Sequence, residues 1–334
     1  MGREGFTGLG TPERYGGAGG GSRAVAAVLE ELGRVSATVA TDLSVHLSVC
    51  MAPIRDYGSE EQKSRWLPLL ARAEIVGAFA LSEPGVGSDA ARLSTRYERT
   101  PKGFRLRGSK MFITNGATAG VIVTFATRDP AQGTHGISAF LVGRDTEGLS
   151  TAQHLDKLGL RGSETNEIVL EDATLGEEAL LGQEGHGLSI ALASLTGGRI
   201  GIAACALGTA QAAYDLLEEQ VRTEPTEAGH ARLARAFAEL AGARALVERA
   251  ARLQEDGAPF VTEASTAKLV ASQAAVSLAG QAVEAIGLPA TRRGHPAERL
   301  FRDARVFPIV EGTTEIQERI LGRALAAPKV AEPR

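Results

Sequence analysis

Cysteine is almost absent: Cys50 and Cys205 are the only two in 334 residues. Each lies in an apolar, Ala-rich stretch, which argues against a disulfide framework or a thiolate metal site and for buried, reduced thiols. A strong charge bias is lacking as well. With 36 Lys and Arg against 40 Asp and Glu, the net charge of −4 gives no electrostatic reason to expect nucleic acid. The longest apolar runs are interrupted by Gly, Ser, Arg or Glu, so no membrane insertion is expected. Met1-Gly2-Arg3-Glu4-Gly5 carries no signal-peptide core, and Phe6 does not fit a myristoylation pattern. No repeat or low-complexity tract is evident. These absences point to a cytoplasmic, globular chain.

What is present suits a large core. The chain is 43% hydrophobic and 23% charged, enough to fill more than one domain. The apolar spacing of Val25, Val28, Leu29, Leu32 and Val35 is helical, and Ser59 with Gln62 has the spacing of a capping box ahead of Trp66, Leu67 and Leu70. From about Glu74 the pattern changes to short apolar runs such as Val121 to Phe125, Ile137 to Val142 and Ile168 to Leu170, predicting an antiparallel β domain. After Gly187 long Ala- and Leu-rich segments return, broken at Pro225, at Gly257 to Pro259 and at Gly287 to Pro289. Those breaks predict four long helices and a short last one. The expected α+β architecture is a helical domain over 1–74, a β domain over 75–183 and a helical bundle over 184–334.

Two motifs carry chemistry. Ile309-Val310-Glu311-Gly312-Thr313 places a carboxylate after an apolar pair, which would desolvate it and raise its pKa as a base requires, just before Thr313 caps a final helix. The alternative is an acid favoured by the helix dipole. Leu81-Ser82-Glu83-Pro84-Gly85-Val86-Gly87-Ser88-Asp89 follows an apolar strand and supplies backbone able to approach a phosphate or a flat ring; its alternative is an ordinary turn. Phe112-Ile113-Thr114 reads either as cofactor-facing or as half-buried strand with one polar position. Arg199 is a bundle salt-bridge residue or a substrate contact. Arg302-Asp303 reads as a structural ion pair. No metal ligand set stands out.

In order along the chain, Pro12 to Gly17, Ser59 to Lys63, Phe79 to Asp89, Lys110 to Gly116, Lys157 to Arg161, Gly198 to Gly201, Phe301 to Ala304 and Glu311 to Thr313 resemble the acyl-CoA dehydrogenase family. The resemblance implies helical, β and helical-bundle domains with FAD between the last two, and α,β-dehydrogenation of an acyl thioester. It implies Glu311 as the catalytic base. Phe79, Leu81, Ser82, Gly87, Ser88, Phe112, Ile113, Thr114, Thr313 and Glu315 would bind the cofactor, and Ser88, Arg199 and Gly312 the substrate. The thioester carbonyl would meet the Glu311 N–H. An electron-transferring flavoprotein is the implied acceptor, and a dimer or tetramer the implied assembly.

Departures from the family pattern accompany these matches. Thr196 replaces an Asp that faces the pantetheine arm, so an acyl or hydroxyacyl group on an acyl carrier protein stays open beside CoA. Gly198 stands where some relatives place an alternative catalytic Glu. Arg222 to Glu227 and Glu284 to Leu288 replace segments that reach a neighbouring subunit's flavin, so flavin affinity or subunit arrangement would be altered. The family's first helices, before Pro12, are also missing from the expected pattern. A non-catalytic binding or assembly partner is the reading from another class.

Overall fold

A computed structural model of the chain describes residues 1–327. Helix α1 (Ser22–Val35) ends at Ser36, whose hydroxyl accepts from Val39 N–H to open α2 (Ala37–Ser44). A π-helical stretch, Val45–Met51, leads straight into α3 (Ala52–Tyr57). Pro53 lacks the N–H that would continue an α ladder there, which accounts for the locally wider turn. Helix α4 (Glu60–Ala71) starts with the expected box: Ser59 Oγ accepts from Gln62 N–H at 3.2 Å and Gln62 Oε1 from Ser59 N–H at 3.0 Å.

His46 fastens this helical layer to the sheet. Its Nδ1 accepts the Gly77 N–H at 3.1 Å while Nε2 lies 3.2 Å from the Leu70 carbonyl, and burial pushes the imidazole down to about 4. A neutral ring is what this pair of bonds requires, because only an unprotonated Nδ1 can accept.

The strands are β1 (Val76–Ala80), β2 (Arg96–Thr100), β3 (Gly103–Thr114), β4 (Ala119–Thr127), β5 (Ile137–Gly143), β6 (Leu149–His154), β7 (Thr165–Gly176) and β8 (Leu180–Leu181). They form one sheet in the order β6-β7-β3-β2-β4-β5-β8, with β1 added on β4. The sheet is mixed rather than wholly antiparallel, since β1 runs parallel to β4 and β2 meets β4 in parallel at Arg96 and Thr127. Tyr97, Phe104 and Phe140 fill one face with edge-to-face contacts, their centroids 5.0 to 6.0 Å apart.

Helix α5 (Gly187–Thr223) is about 55 Å long by its 37 residues. It packs on α1 and on α7 (Val261–Ile286), while α6 (Glu227–Glu255) completes the three-helix core. The remaining helices α8 (Pro296–Ala304) and α9 (Thr314–Ala326) are short, so the bundle has three long helices where four were expected. Gly287 at φ 75°, Gly294 at φ 89° and Pro296 at the start of α8 keep the chain non-helical between α7 and α8. Close packing uses the smallest residues. A Cβ on Gly208 would sit 1.9 Å from the Glu30 carbonyl oxygen, and one on Gly33 2.6 Å from that of Cys205, so α1 crosses α5 through two glycines.

Both cysteines are free and buried. The expectation about apolar runs needs correcting. Among the described residues Ala37–Tyr57, Gly187–Thr223 and Val261–Ile286 are long and apolar enough to cross a membrane by length and composition. Their apolarity is that of packed core helices, with Ala203, Ala206, Ala271 and Ala275 fully buried.

Arg302 and Asp303 do not pair with each other. Asp303 Oδ1 accepts the Leu160 N–H at 2.7 Å, whereas Arg302 bonds Glu298 one turn back and the Leu158 carbonyl at 3.0 Å. Both residues thereby hold the loop from Lys157 to Arg161 on α8.

Candidate active site

Between α8 and α9 the chain makes a tight turn. Glu311 has φ 50° and Gly312 φ 101°, consecutive left-handed residues of which the first costs a non-glycine residue on the order of 1 kcal/mol. The turn is secured at the Gly312 carbonyl, which accepts Lys268 Nζ at 2.6 Å and Gln317 Nε2 at 2.9 Å. Lys268, from the middle of α7, and Gln317, from α9, are both fully buried. Glycine suits position 312 because φ 101° strains any other residue, and a Cβ there would also press on Gln317 Nε2 at 2.5 Å.

Part of Glu311 reaches solvent, yet both carboxylate oxygens are buried and neither has a hydrogen-bond partner among the described residues. They lie against α5 at Gly198, where a Cβ would stand 2.0 Å from Oε2. Burial pushes the carboxyl up to about 7, against the opposing pull of Lys268 and then Arg199. Arg199 is 5% exposed; among the described residues its Nε has no partner and its one side-chain bond is a long 3.5 Å contact to Ser265 Oγ. Burial lowers its pKa while the charge of Glu311 raises it.

A second group surrounds the loop after β1. Lys110, on β3, is fully buried and donates to Glu83 Oε1 at 2.9 Å and to the Leu81 carbonyl at 3.1 Å. Glu83 also accepts from Ser94 N–H and Oγ and from Thr95 N–H, at 2.6 to 2.9 Å. Burial alone would raise the Glu83 carboxyl, but the Lys110 charge and these donors hold it at about 2. Burial brings Lys110 down to about 8, so both partners are charged at neutral pH. The loop is therefore fixed from inside while its outer face stays free. Gly85 and Gly87 face open space, and the hydroxyls of Ser82, Ser88 and Thr114 make no hydrogen bond among the described residues. Phe112, at φ 63°, turns its ring outward at 65% exposure.

The structure thus sorts the expected residues. Glu311, Gly312 and Arg199 come together, while Leu81 and Ser82 meet β3 beside Phe112, through Lys110 to the Leu81 carbonyl and the Met111 N–H to the Ser82 carbonyl at 2.9 Å, with Thr114 two residues farther along that strand. Ile113 is 1% exposed and Phe79 packs edge-on against Phe125 at 5.0 Å, so both face the core and can offer a ligand little beyond backbone. Thr313 occupies the start of α9 without a side-chain cap bond, while Glu315 in the first turn is exposed and held low by the Thr313 hydroxyl. Thr196 returns its hydroxyl to the Leu192 carbonyl at 2.8 Å. Lys268, Gln317 and Lys110 were not singled out from sequence. A lysine within the Ala-rich run Ala264 to Ala275 was the available signal.

The sequence profiles of the acyl-CoA dehydrogenase N-terminal, middle and C-terminal domains match residues 1–74, 78–173 and 185–326. An acyl-CoA dehydrogenase of Bacillus subtilis (strain 168) is 44% identical over 333 residues, covering 97% of this chain and 88% of that protein. The structure of butyryl-CoA dehydrogenase from Megasphaera elsdenii superposes with a TM-score of 0.94 at 37% identity, over 97% of this chain and 88% of that one. A prolyl acyl carrier protein oxidase superposes with a TM-score of 0.92 at 31% identity, over 98% and 88%.

Gly198→Ala tests the placement of the carboxylate. Alanine raises helix propensity by about 0.5–1 kcal/mol, so α5 should be retained or strengthened. The added methyl would displace the Glu311 carboxylate, and chemistry that depends on it should fall at least about 100-fold. Thermal unfolding and turnover on one preparation check this; a variant with undiminished turnover would show that the carboxylate need not lie on Gly198.

Proposed function

Since the chain belongs to the acyl-CoA dehydrogenase family, we propose that Glu311 is the base that removes the α-proton of its acyl thioester substrate. The enzyme is an FAD-dependent oxidoreductase acting on CH–CH groups. When bound, FAD supplies the acceptor for the β-hydride, which no side chain provides. The α-C–H bond breaks toward a Glu311 oxygen, its electron pair remains on carbon to form the double bond as hydride leaves the β-carbon, and Glu311 becomes the neutral acid.

The observation that carries this reading is the Glu311 carboxylate itself: buried, without a hydrogen-bond partner, and brought to about 7. Such a group is about half ionised at neutral pH and can take a proton without first breaking a bond. The Glu311 N–H makes no backbone hydrogen bond among the described residues, which leaves it able to polarise the thioester carbonyl. The free hydroxyls of Ser82, Ser88 and Thr114, the open backbone at Gly87 and the outward ring of Phe112 fit a flavin. They would hold it by hydrogen bonds along one edge and by contact with the ring.

CoA is the favoured carrier, in line with the named relatives. The carrier-protein alternative draws support from the likeness to the prolyl carrier protein oxidase and from Thr196, whose hydroxyl is tied back to its own helix. An electron-transferring flavoprotein is the proposed acceptor, tested by whether a purified one supports turnover. For assembly, Phe237 and Val261 are 59% and 50% exposed on the outer bundle, apolar surface suited to a second copy.

Glu311→Gln should keep the flavin and the melting temperature but lose at least about 100-fold in kcat. A variant above about a tenth of the wild-type rate would sink the base assignment. The carrier is read from kcat/KM for one acyl group on CoA and on a carrier protein; we expect the CoA ester to win, and the reverse order would establish the alternative. Light scattering at low concentration should give a dimer or tetramer, and a monomer that holds flavin tightly would refute self-association.

A further inference from the structure

Lys268 is unusual among the buried groups of the bundle. Its ammonium is fully buried, yet its one hydrogen bond among the described residues goes to the neutral Gly312 carbonyl rather than to a carboxylate. A buried lysine without a bonded counter-ion is costly, and a neutral donor would fasten the same carbonyl more cheaply. Gln317 already does so at 2.9 Å. The positive charge therefore needs an explanation that turn-fastening does not give.

The groups facing Glu311 supply it. From α5 come Arg199 and the buried Cys205 thiol, from α7 Lys268, and from α9 Glu315, whose charge acts on Lys268. Asp42 on α2 acts on Cys205 but is not among the groups acting on Glu311. Of the charges acting on Glu311, Lys268 is the largest opposing burial. It also holds the residue that follows the base. One side chain thus grips the left-handed turn and keeps a buried carboxylate able to ionise.

We propose that Lys268 is a positioning residue for the base: bonded to the Gly312 carbonyl, it fixes the Glu311–Gly312 turn and keeps the Glu311 carboxylate ionised beside Gly198. This rests on Glu311 being the base, but its test does not depend on turnover. The carboxyl C=O stretch of Glu311, assigned by its loss in Glu311→Gln, can be titrated by infrared difference spectroscopy in the flavin-free and flavin-loaded protein.

Removing a nearby cation disfavours the charged carboxylate, so the midpoint must move upward from about 7 in Lys268→Met. We expect a rise of at least about half a pH unit. Turnover at pH 7 should fall at least about twofold, as the ionised fraction drops from about one half to about one quarter for a half-unit rise, and recover toward pH 9. Lys268→Arg, which keeps the charge, should return the midpoint most of the way to that of the wild type. If Lys268→Met does not fold, Lys268→Gln carries the test, because it keeps a donor for Gly312 and removes only the charge. An unmoved midpoint in whichever neutral variant folds overturns the proposal. Should Glu311→Gln remain active while the midpoint still moves, the base assignment fails and the influence of Lys268 on Glu311 stands.

Discussion

Small residues along α5 set the distances on which the rest depends. Gly208 and Gly33 let α1 and α5 cross with backbones nearly touching, and the alanines of α5 and α7 bring the lysine-bearing face of α7 close to α5. Larger side chains at those crossings would push the helices apart by ångströms, which an interior packed like a crystal cannot absorb locally. Gly198 is the last step of the same rule. It removes the one carbon that would occupy the place of the Glu311 carboxylate, so helix packing and the placement of that carboxylate are set by one property of one surface.

The two halves of the site handle charge in opposite ways. On the sheet side, Glu83 is surrounded by Lys110, Ser94 and Thr95, every lone pair it turns inward is used, and its carboxyl is held at about 2. That ion pair has no chemistry left to do; it stiffens the loop that bears Ser82 and Gly87. On the bundle side, Glu311 is just as buried at its oxygens but has no bond to them among the described residues, and it is brought to about 7. Satisfied carboxylates hold structure, whereas an unsatisfied one is available to a proton.

Much of this was legible in the residues, for identifiable reasons. The helical, β and helical order follows from the change of apolar period near Glu74 and again near Gly187, and the Ser59–Gln62 box is a local signal that needs no tertiary context. The parallel pairing of β1 with β4 was not legible, because short apolar strands read alike whichever neighbour they choose and a hairpin, β2 to β3, lies between these two in sequence. The expected fourth long helix failed at Gly294 and Pro296, where turn residues outweigh an otherwise helical pattern. Glu311 could be picked out by its apolar neighbours and the following Gly-Thr. Lys268 could not, since a single lysine in an alanine-rich helix ordinarily marks the solvent face, and only the fold turns it toward Gly312.

The same distinction bears on which parts of such a site tolerate change. A group such as Thr196, whose hydroxyl is returned to its own helix, holds nothing that packing requires, so this position can change without loss of stability. Glu311, Gly198, Lys268 and Gly312 are bound to one another through one turn and one helix crossing, so a change at any of them alters both placement and charge of the carboxylate. The outer bundle is therefore free to vary, while the grip on the Glu311 carboxylate is not. Thr196, Glu224 and Glu284 can change and leave the geometry around Glu311 intact, because those three positions lie outside the contacts that hold it.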